Sequence, residues 1–483
     1  MSVDVTLNLI GGQFVAARSG ATIDVMNPAS TAIRVGRVPA MDRDDVTEVF
    51  DAAESGARTW RAAGHLARGR ILIDAAALIR EDSAKLTNII VSEMGKTRAE
   101  ASGEVGKAAE FFEYFGAMAR LPFGEMLPDA RPGTFATQTR EPLGVVLLIT
   151  PWNDPLLTPA RKLAPALLAG NAVVIKPATV TPLITLHLAE ILHRAGLPAG
   201  ALGTITGLGS DIGDDLIADP RIKAISFTGS TAVGIALQRK LGGTRVRVQT
   251  EMGGKNAVVI LDDADLNLVM PAVMSASFGQ TGQRCTAASR LIVQRGIASE
   301  IQTRLAAAVS TLVVGAGVDP TTGVGPVVSE TAQKDIESRL ARGVAEGASV
   351  IAQAMIPPTH IGSGNFVAPT FLMVDRENSL WKEEVFGPIL GMIEVDSIDE
   401  AIDAVNDSPY GLSSAVFTAS LQQAYAFIDG VDTGQVSVNQ PTSGWDIHQP
   451  FGGFKDSGSP FKEQGLDALR FYTRVKTAAI RTH

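Results

Sequence analysis

From Gly144 onward, short apolar runs alternate with helical stretches, and this alternation restricts the possible folds more than any other feature of the chain. The runs at 145–149, 172–175, 202–205, 223–227 and 257–261 read as buried strands, and the stretches at 159–168 and 182–195 between them read as helices. Strands this apolar need cover on both faces, which crossover helices supply, so the pattern predicts βαβ units on a parallel sheet. After Leu261 the pattern repeats: a helix ahead of Cys285, a strand at 290–294, helices at 299–312 and 331–346, and strands at 414–417 and 435–439. A chain of 483 residues is too long for one core. The expected fold class is α/β, with two parallel-sheet domains meeting near Gly253-Gly254.

The first quarter reads as mainly helical. Val46, Val49, Phe50, Ala53, Ala57 and Trp60 recur at helical spacing, with Asp44 and Asp45 placed to cap and charge the first turn. Further helices are expected from Ile71, up to Met94 with Gly95 as the stop, and over 104–119. A glycine- and proline-bearing segment, 122–133, leads into an alternating stretch at 134–140 that reads as an exposed strand: an arm for subunit contact, or a plain connecting loop. A net charge of -9 argues against nucleic acid and anionic membranes, both of which reward a basic surface. No apolar run approaches the roughly 20 residues of a membrane span, and residues 1–16 do not look like a leader, so a soluble cytoplasmic protein is expected. One cysteine excludes an internal disulfide.

That cysteine, Cys285, lies among small and hydrogen-bonding residues rather than in a Val/Leu/Ile run, with Arg284 directly before it. Such a setting favours thiolate over thiol, and the thiolate is the nucleophile; a lone thiol with no task is an equal reading of this segment alone. Phe227-Thr-Gly-Ser-Thr-Ala-Val-Gly234 follows a strand and opens a helix, where a diphosphate can rest, although it departs from the G-x-G-x-x-G pattern. Gly207-Leu-Gly209 is a weaker cluster, and either one alone is more often a tight turn. Lys176 ends a strand at the carboxyl edge where α/β sheets bind ligands, or is simply a solvated strand end. Glu251, before two glycines, is a candidate base or a surface acid, and Asn153, in Pro151-Trp-Asn-Asp-Pro155, is a candidate oxyanion donor or a turn residue.

Taken together, Pro151-Trp-Asn153, Lys176-Pro-Ala178, Phe227-Thr-Gly-Ser-Thr231, Glu251-Met-Gly-Gly-Lys255, Gly282-Gln-Arg-Cys285, Glu384-Val-Phe-Gly-Pro388 and Pro450-Phe-Gly-Gly-Phe-Lys455 resemble the aldehyde dehydrogenase superfamily. The motifs occur in the family's order, and the resemblance extends from about Gly11 to Lys476. It implies oxidation of an aldehyde to its acid: Cys285 attacks the carbonyl, Asn153 and the Cys285 N–H stabilise the oxyanion, and Glu251 activates the water that cleaves the thioester. Lys162 and Glu463 match positions that relay the proton from Glu251 or serve as structural ion-pair partners. The cofactor positions implied are Thr150, Trp152, Lys176, Thr179, Gly209, Phe227, Gly229, Ser230, Val233, Met252, Glu384 and Phe386, for NADP or NAD and without a metal. The implied architecture is a dinucleotide-binding domain (1–120 and 141–253), a catalytic domain (254–456) and a small β arm (121–140 and 470–483) that pairs subunits into a homodimer or homotetramer.

Two departures refine this resemblance. Many NAD-preferring members carry a glutamate where this chain has Thr179; a neutral hydroxyl removes the repulsion a 2′-phosphate would meet, so NADP is expected to be accepted. In the substrate tunnel, Asp154, Arg161 and Arg284 stand where aromatics are frequent, with Trp445 and Phe451 expected to close the mouth. Arg161 resembles the arginine with which succinate-semialdehyde dehydrogenases hold a carboxylate. A buried guanidinium needs an anion, supplied either by a carboxylated semialdehyde (succinate or 2-oxoglutarate semialdehyde type) or by Asp154. The alternatives are an uncharged aliphatic or aromatic aldehyde as substrate, a CoA-acylating enzyme of the same fold, and a catalytically silent structural or binding paralogue. The presence of Cys285, Glu251 and Asn153 disfavours the last two.

Overall fold

The structure is a computed structural model that describes residues 5–481; residues 1–4 and 482–483, at the outer ends of the ranges 1–120 and 470–483, lie outside the described residues. A five-stranded sheet runs in the order Arg247–Glu251, Ile222–Thr228, Val145–Ile149, Ala172–Lys176, Leu202–Thr204, and every pairing in it is parallel. Val146, Leu147, Leu148, Val173, Val174 and Ile175 are wholly buried, as strands covered by helices on both faces must be. The chain enters at Val145–Ile149, fills one side and then the other, so the strand order reverses between Val145–Ile149 and Ile222–Thr228. In open α/β sheets the ligand crevice opens outside the carboxyl ends at such a reversal.

A second sheet of seven strands runs Ser349–Gln353, Thr370–Met373, Ile389–Val395, Ala288–Gln294, Asn256–Ile260, Ser413–Phe417, Gln435–Val438. It is parallel except at the edge strand Ser349–Gln353. Glu251 ends the last strand of one sheet and Asn256 begins the first strand of the other, so the chain crosses between the sheets over residues 252–255. The carboxyl edge of the first sheet therefore adjoins the amino edge of the second.

The third piece is antiparallel: Thr473–Arg481 pairs with Thr134–Pro142 along its whole length, and Thr134–Pro142 pairs on its other side with Gly124–Leu127. The strand expected at 134–140 is thus the middle of three, and one strand, Gly124–Leu127, is absent from the sequence reading. Beyond Thr473 the outer strand is exposed at every residue.

The helical reading of the first quarter holds from Arg43–Ala62 to Arg98–Met118, but the chain before it is β. Asn8–Ile10 and Gln13–Val15 pair, and Thr22–Asn27 and Ser30–Pro39 form a hairpin around Pro28-Ala29. These strands are short or half-exposed, which removes the apolar runs that identify the central ones. The cap of Arg43–Ala62 is Asp42, not Asp44 or Asp45: Asp42 accepts from both of their N–H groups, and Asp45 returns the bond as a capping box. Thr97 and Glu100 form a second capping box on Arg98–Met118, and it bears on the site. No helix among the described residues is long and apolar enough to cross a membrane.

Candidate active site

At the junction of the two sheets lies a cavity of about 1040 Å³. One end is built from carboxyl ends of the first sheet: Thr150 and Trp152 follow Val145–Ile149, Lys176 ends Ala172–Lys176, and Gly229 and Ser230 follow Ile222–Thr228. Thr179, Gly209, Phe227, Val233, Met252, Glu384 and Phe386 line the same space. Two glycines let side chains pack closely here: a Cβ on Gly229 would come within 2.6 Å of the Phe227 ring, and one on Gly234 within 2.3 Å of Met252 Sδ. Lys176 is buried, among the described residues its Nζ donates only to the neighbouring Pro177 carbonyl at 3.3 Å, and burial pulls its pKa down to about 8. Thr150 Oγ1 is buried with no partner among the described residues. A buried cation without an anion, an orphaned hydroxyl and the open start of the helix Thr231–Leu241 fit the phosphates and ribose of a dinucleotide. Thr179 Oγ1 donates to the Gly207 carbonyl at 3.1 Å.

On the other side of the cavity stand Asn153, Glu251 and Cys285. Asn153 is 5 % exposed, in the turn after Val145–Ile149. Both carboxylate oxygens of Glu251 are buried without hydrogen-bond partners among the described residues. Burial, with Glu463 adding repulsion, raises its pKa well above the ordinary carboxylate value. Gly452, at φ +151, leaves the room that carboxylate occupies: a Cβ there would stand 2.6 Å from Glu251 Oε1.

The segment before Cys285 is backbone of an uncommon kind. Gln280, Thr281 and Gly282 are consecutively left-handed, at φ 52, 59 and 67. Two non-glycine residues so placed cost on the order of 1–3 kcal/mol each and persist only where the surroundings over-determine them. Gln280 N donates to Glu100 Oε1 at 2.6 Å, which ties the loop to the second capping box, and Thr281 Oγ1 donates to the Gly325 carbonyl at 3.0 Å. A Cβ on Gly282 would meet the Gly387 carbonyl at 2.2 Å. Beyond the bend, Asn256 Nδ2 donates to the Cys285 carbonyl at 2.8 Å and to that of Ala287 at 2.9 Å.

The surroundings of Cys285 in the fold pull against the thiolate expected from its neighbours in sequence. Burial, with Asp154 as the next contribution, pushes the Cys285 thiol up to about 12. Arg284 does not offset this, because its Nε is turned to Gln280 Oε1 at 2.7 Å.

All the other sequence-selected residues line the cavity except Lys162 and Glu463, which are buried beyond Glu251. Lys162 Nζ bonds to Glu463 Oε1 and, at 2.7 Å, to Ser226 Oγ. Its pKa is lowered by burial, against the pull of Glu463. The expected role of Asp154 as partner to Arg161 also fails. Asp154 Oδ1 is taken by Lys96 Nζ at 2.7 Å and Gln280 Nε2 at 3.1 Å, while Arg161 lies 3.6 Å from Glu463 and 4.7 Å over the Phe451 ring. Phe451, 5 % exposed, is an inner surface rather than a mouth residue; Trp445 lines the cavity and donates to the Thr442 carbonyl at 3.3 Å. Among the described residues Arg284 has no carboxylate within ion-pair distance. Sequence reading missed Lys96, Glu100, Glu104, Asn256 and Gln280; only the Thr97-to-Glu100 capping spacing left a signal.

Residues 14–478 match the model of the aldehyde dehydrogenase family. The chain is 39% identical over 477 residues to an alpha-ketoglutarate semialdehyde dehydrogenase of Haloferax volcanii, covering 98% of each chain. It is 40% identical over 457 residues to a 2,5-dioxopentanoate dehydrogenase of Saccharolobus solfataricus, covering 94% of this chain and 95% of that one. Among solved structures, betaine aldehyde dehydrogenase from Staphylococcus aureus in complex with NAD+ superposes with a TM-score of 0.96 at 30% identity, covering 100% of this chain and 96% of the other.

Proposed function

Since the chain belongs to the aldehyde dehydrogenase family, we propose that it oxidises a carboxylated semialdehyde, of the 2-oxoglutarate or succinate semialdehyde type, to the dicarboxylic acid. It is an oxidoreductase acting on aldehydes, with a nicotinamide cofactor. The observation that carries the reading is one cavity holding Cys285, Asn153 and Glu251 together with the guanidinium groups of Arg161 and Arg284.

Cys285 Sγ bonds to the aldehyde carbon as its proton passes to Glu251; burial makes Glu251 the stronger base for this transfer, while burial of the thiol works against it. The new oxyanion takes hydrogen bonds from Asn153 Nδ2 and the Cys285 N–H; one such donor contributes about 3–4 kcal/mol in comparable sites. The hydride acceptor that turns this adduct into a thioester is the chemistry supplied by a bound nicotinamide dinucleotide, with Lys176, Ser230 and Glu384 among the residues that would hold it. Once the thiol proton has passed on from Glu251, the free carboxylate takes a proton from water as the water oxygen attacks the thioester; the C–S bond then breaks, the acid leaves and Cys285 regains a proton. Lys162 and Glu463 carry the proton onward from Glu251. The ranges 1–120 and 141–253 serve the dinucleotide, 254–456 the chemistry, and 121–140 with 470–483 the pairing of subunits into a dimer or tetramer, in the cytoplasm.

NADP is accepted in this reading because Thr179 puts no charge where a 2′-phosphate would lie. Thr179→Glu should lower the ratio of kcat/KM for NADP over NAD by about tenfold or more, the scale of one like-charge contact. Strict NAD dependence of the unmodified enzyme would refute the reading.

For the substrate, Arg284→Ala should raise KM for succinate semialdehyde by about 10- to 100-fold, the range for one hydrogen bond to a charged group. Arg161→Ala should raise it as well and also lower kcat, because Glu463 loses a partner. An unchanged KM in both variants would sink the carboxylated substrate and favour an uncharged aldehyde.

A further inference from the structure

A line of polar groups, mostly buried, borders the cavity, and of its members only the last, Arg284, has a task in the reaction above. It starts at Glu104, whose Oε1 accepts from the N–H groups of Leu156 and Leu157, both at 2.9 Å, where the helix Leu157–Ala169 begins. Glu104 Oε2 receives Lys96 Nζ at 2.6 Å, and the same ammonium, wholly buried, reaches Asp154 Oδ1 at 2.7 Å. Asp154 Oδ1 in turn accepts from Gln280 Nε2 at 3.1 Å, and Gln280 Oε1 accepts from Arg284 Nε at 2.7 Å. The amide can face only one way, since its nitrogen meets a carboxylate and its oxygen a guanidinium. Acid, ammonium, acid, amide dipole and guanidinium thus alternate in sign from a helix start to the residue before Cys285.

Gln280 is the one member of the line with no net charge and no slack. Its N donates to Glu100, its carbonyl oxygen accepts from Gln283 N at 3.0 Å, and both side-chain polar atoms are engaged. Arg284 has the opposite character: among the described residues its guanidinium makes one other hydrogen bond, a long one of 3.5 Å to the Ser275 carbonyl, and rests against the bare backbone of Gly279. A free arginine side chain samples many rotamers, and fixing one nitrogen of its planar fork orients the remaining donors.

We propose that Gln280 is a positioning residue whose amide, tied to Asp154 at one end and to Arg284 at the other, aims the Arg284 guanidinium into the cavity at the substrate carboxylate. This rests on the carboxylated-semialdehyde reading. Arg161 does not need such a device, being held by Glu463 and the Phe451 ring.

The test measures kcat and KM with succinate semialdehyde, and with butanal as an uncharged comparator, for Gln280→Leu, Gln280→Asn, Arg284→Ala and the double variants. Asparagine keeps an amide and tolerates the left-handed backbone, so it guards against loss of folding, yet it is one methylene too short to span both partners. Each Gln280 variant should raise KM for succinate semialdehyde about fivefold or more, with a smaller change in kcat. Adding Arg284→Ala should then raise KM no further than Arg284→Ala alone, since both act through one guanidinium. If Arg284→Ala raises KM but the Gln280 variants leave it unchanged, or if the effects multiply in the double variants, the positioning role is overturned and the substrate reading stands. If Arg284→Ala affects succinate semialdehyde no more than butanal, the positioning role is overturned; the substrate reading fails with it only if Arg161→Ala also leaves that KM unchanged.

Discussion

Cys285→Ala is expected to abolish turnover, with kcat/KM falling by about 10⁶-fold, the loss seen when a covalent nucleophile is removed from a preorganised site. Nothing else within the cavity can take over, because Cys285 is the only thiol in the chain. The check is NAD(P)H absorbance on mixing with cofactor and a panel of aldehydes. Retention of more than a few per cent of the unmodified rate would show that the oxidation does not pass through this sulfur. A silent binding paralogue, the alternative from another class, would give no signal in the unmodified protein either.

Glu251→Gln is expected to separate the two halves of the reaction. Amide replaces carboxyl at nearly the same volume, so the cavity survives while the base is lost. Steady turnover should fall by about 10²- to 10⁴-fold, the usual weight of a general base. The first NAD(P)H should still form in stoichiometric amount with Cys285, though more slowly, and the enzyme should accumulate as a thioester visible by mass spectrometry. The pH profile gives an independent reading. The base form of Glu251 exists only above its raised pKa, so the unmodified enzyme should lose kcat as pH falls through a value well above the usual carboxylate range. That acid limb should vanish in the glutamine variant. Steady turnover left intact by Glu251→Gln would remove Glu251 from the mechanism.

What was legible in the sequence follows from how each piece is stabilised. Central parallel strands are covered on both faces and so appear as uninterrupted apolar runs, which is why 145–149 and 172–175 stand out. Arg247–Glu251, which delivers the base, lies at the sheet edge and reads Arg-Val-Gln-Thr-Glu, with no such run. The edge strand Ser349–Gln353 is hidden for the same reason. Resemblance to the family brought together the residues around the cavity, yet it did not give the state of the thiol. That depends on burial outweighing a neighbouring guanidinium that turns away to Gln280, a matter of side-chain direction rather than of order along the chain. Lys96 illustrates the remaining gap. It sits 58 residues from Asp154, and nothing local to either marks the pair.

The joint between the sheets, Gly253-Gly254, has a consequence for how tightly the two ends of the cavity are bound together. A Cβ on Gly253 would fall 2.1 Å from Glu384 Oε2, and one on Gly254 would fall 3.0 Å from the Cys285 carbonyl. Glu384 also accepts from Gly254 N at 2.9 Å. Within the span of one peptide unit, the main chain thus touches the nucleotide side and the sulfur side at once. One added methyl there would act as a wedge felt by both, so this seam behaves as a gauge block: it sets the separation of two chemistries by having no thickness to spare.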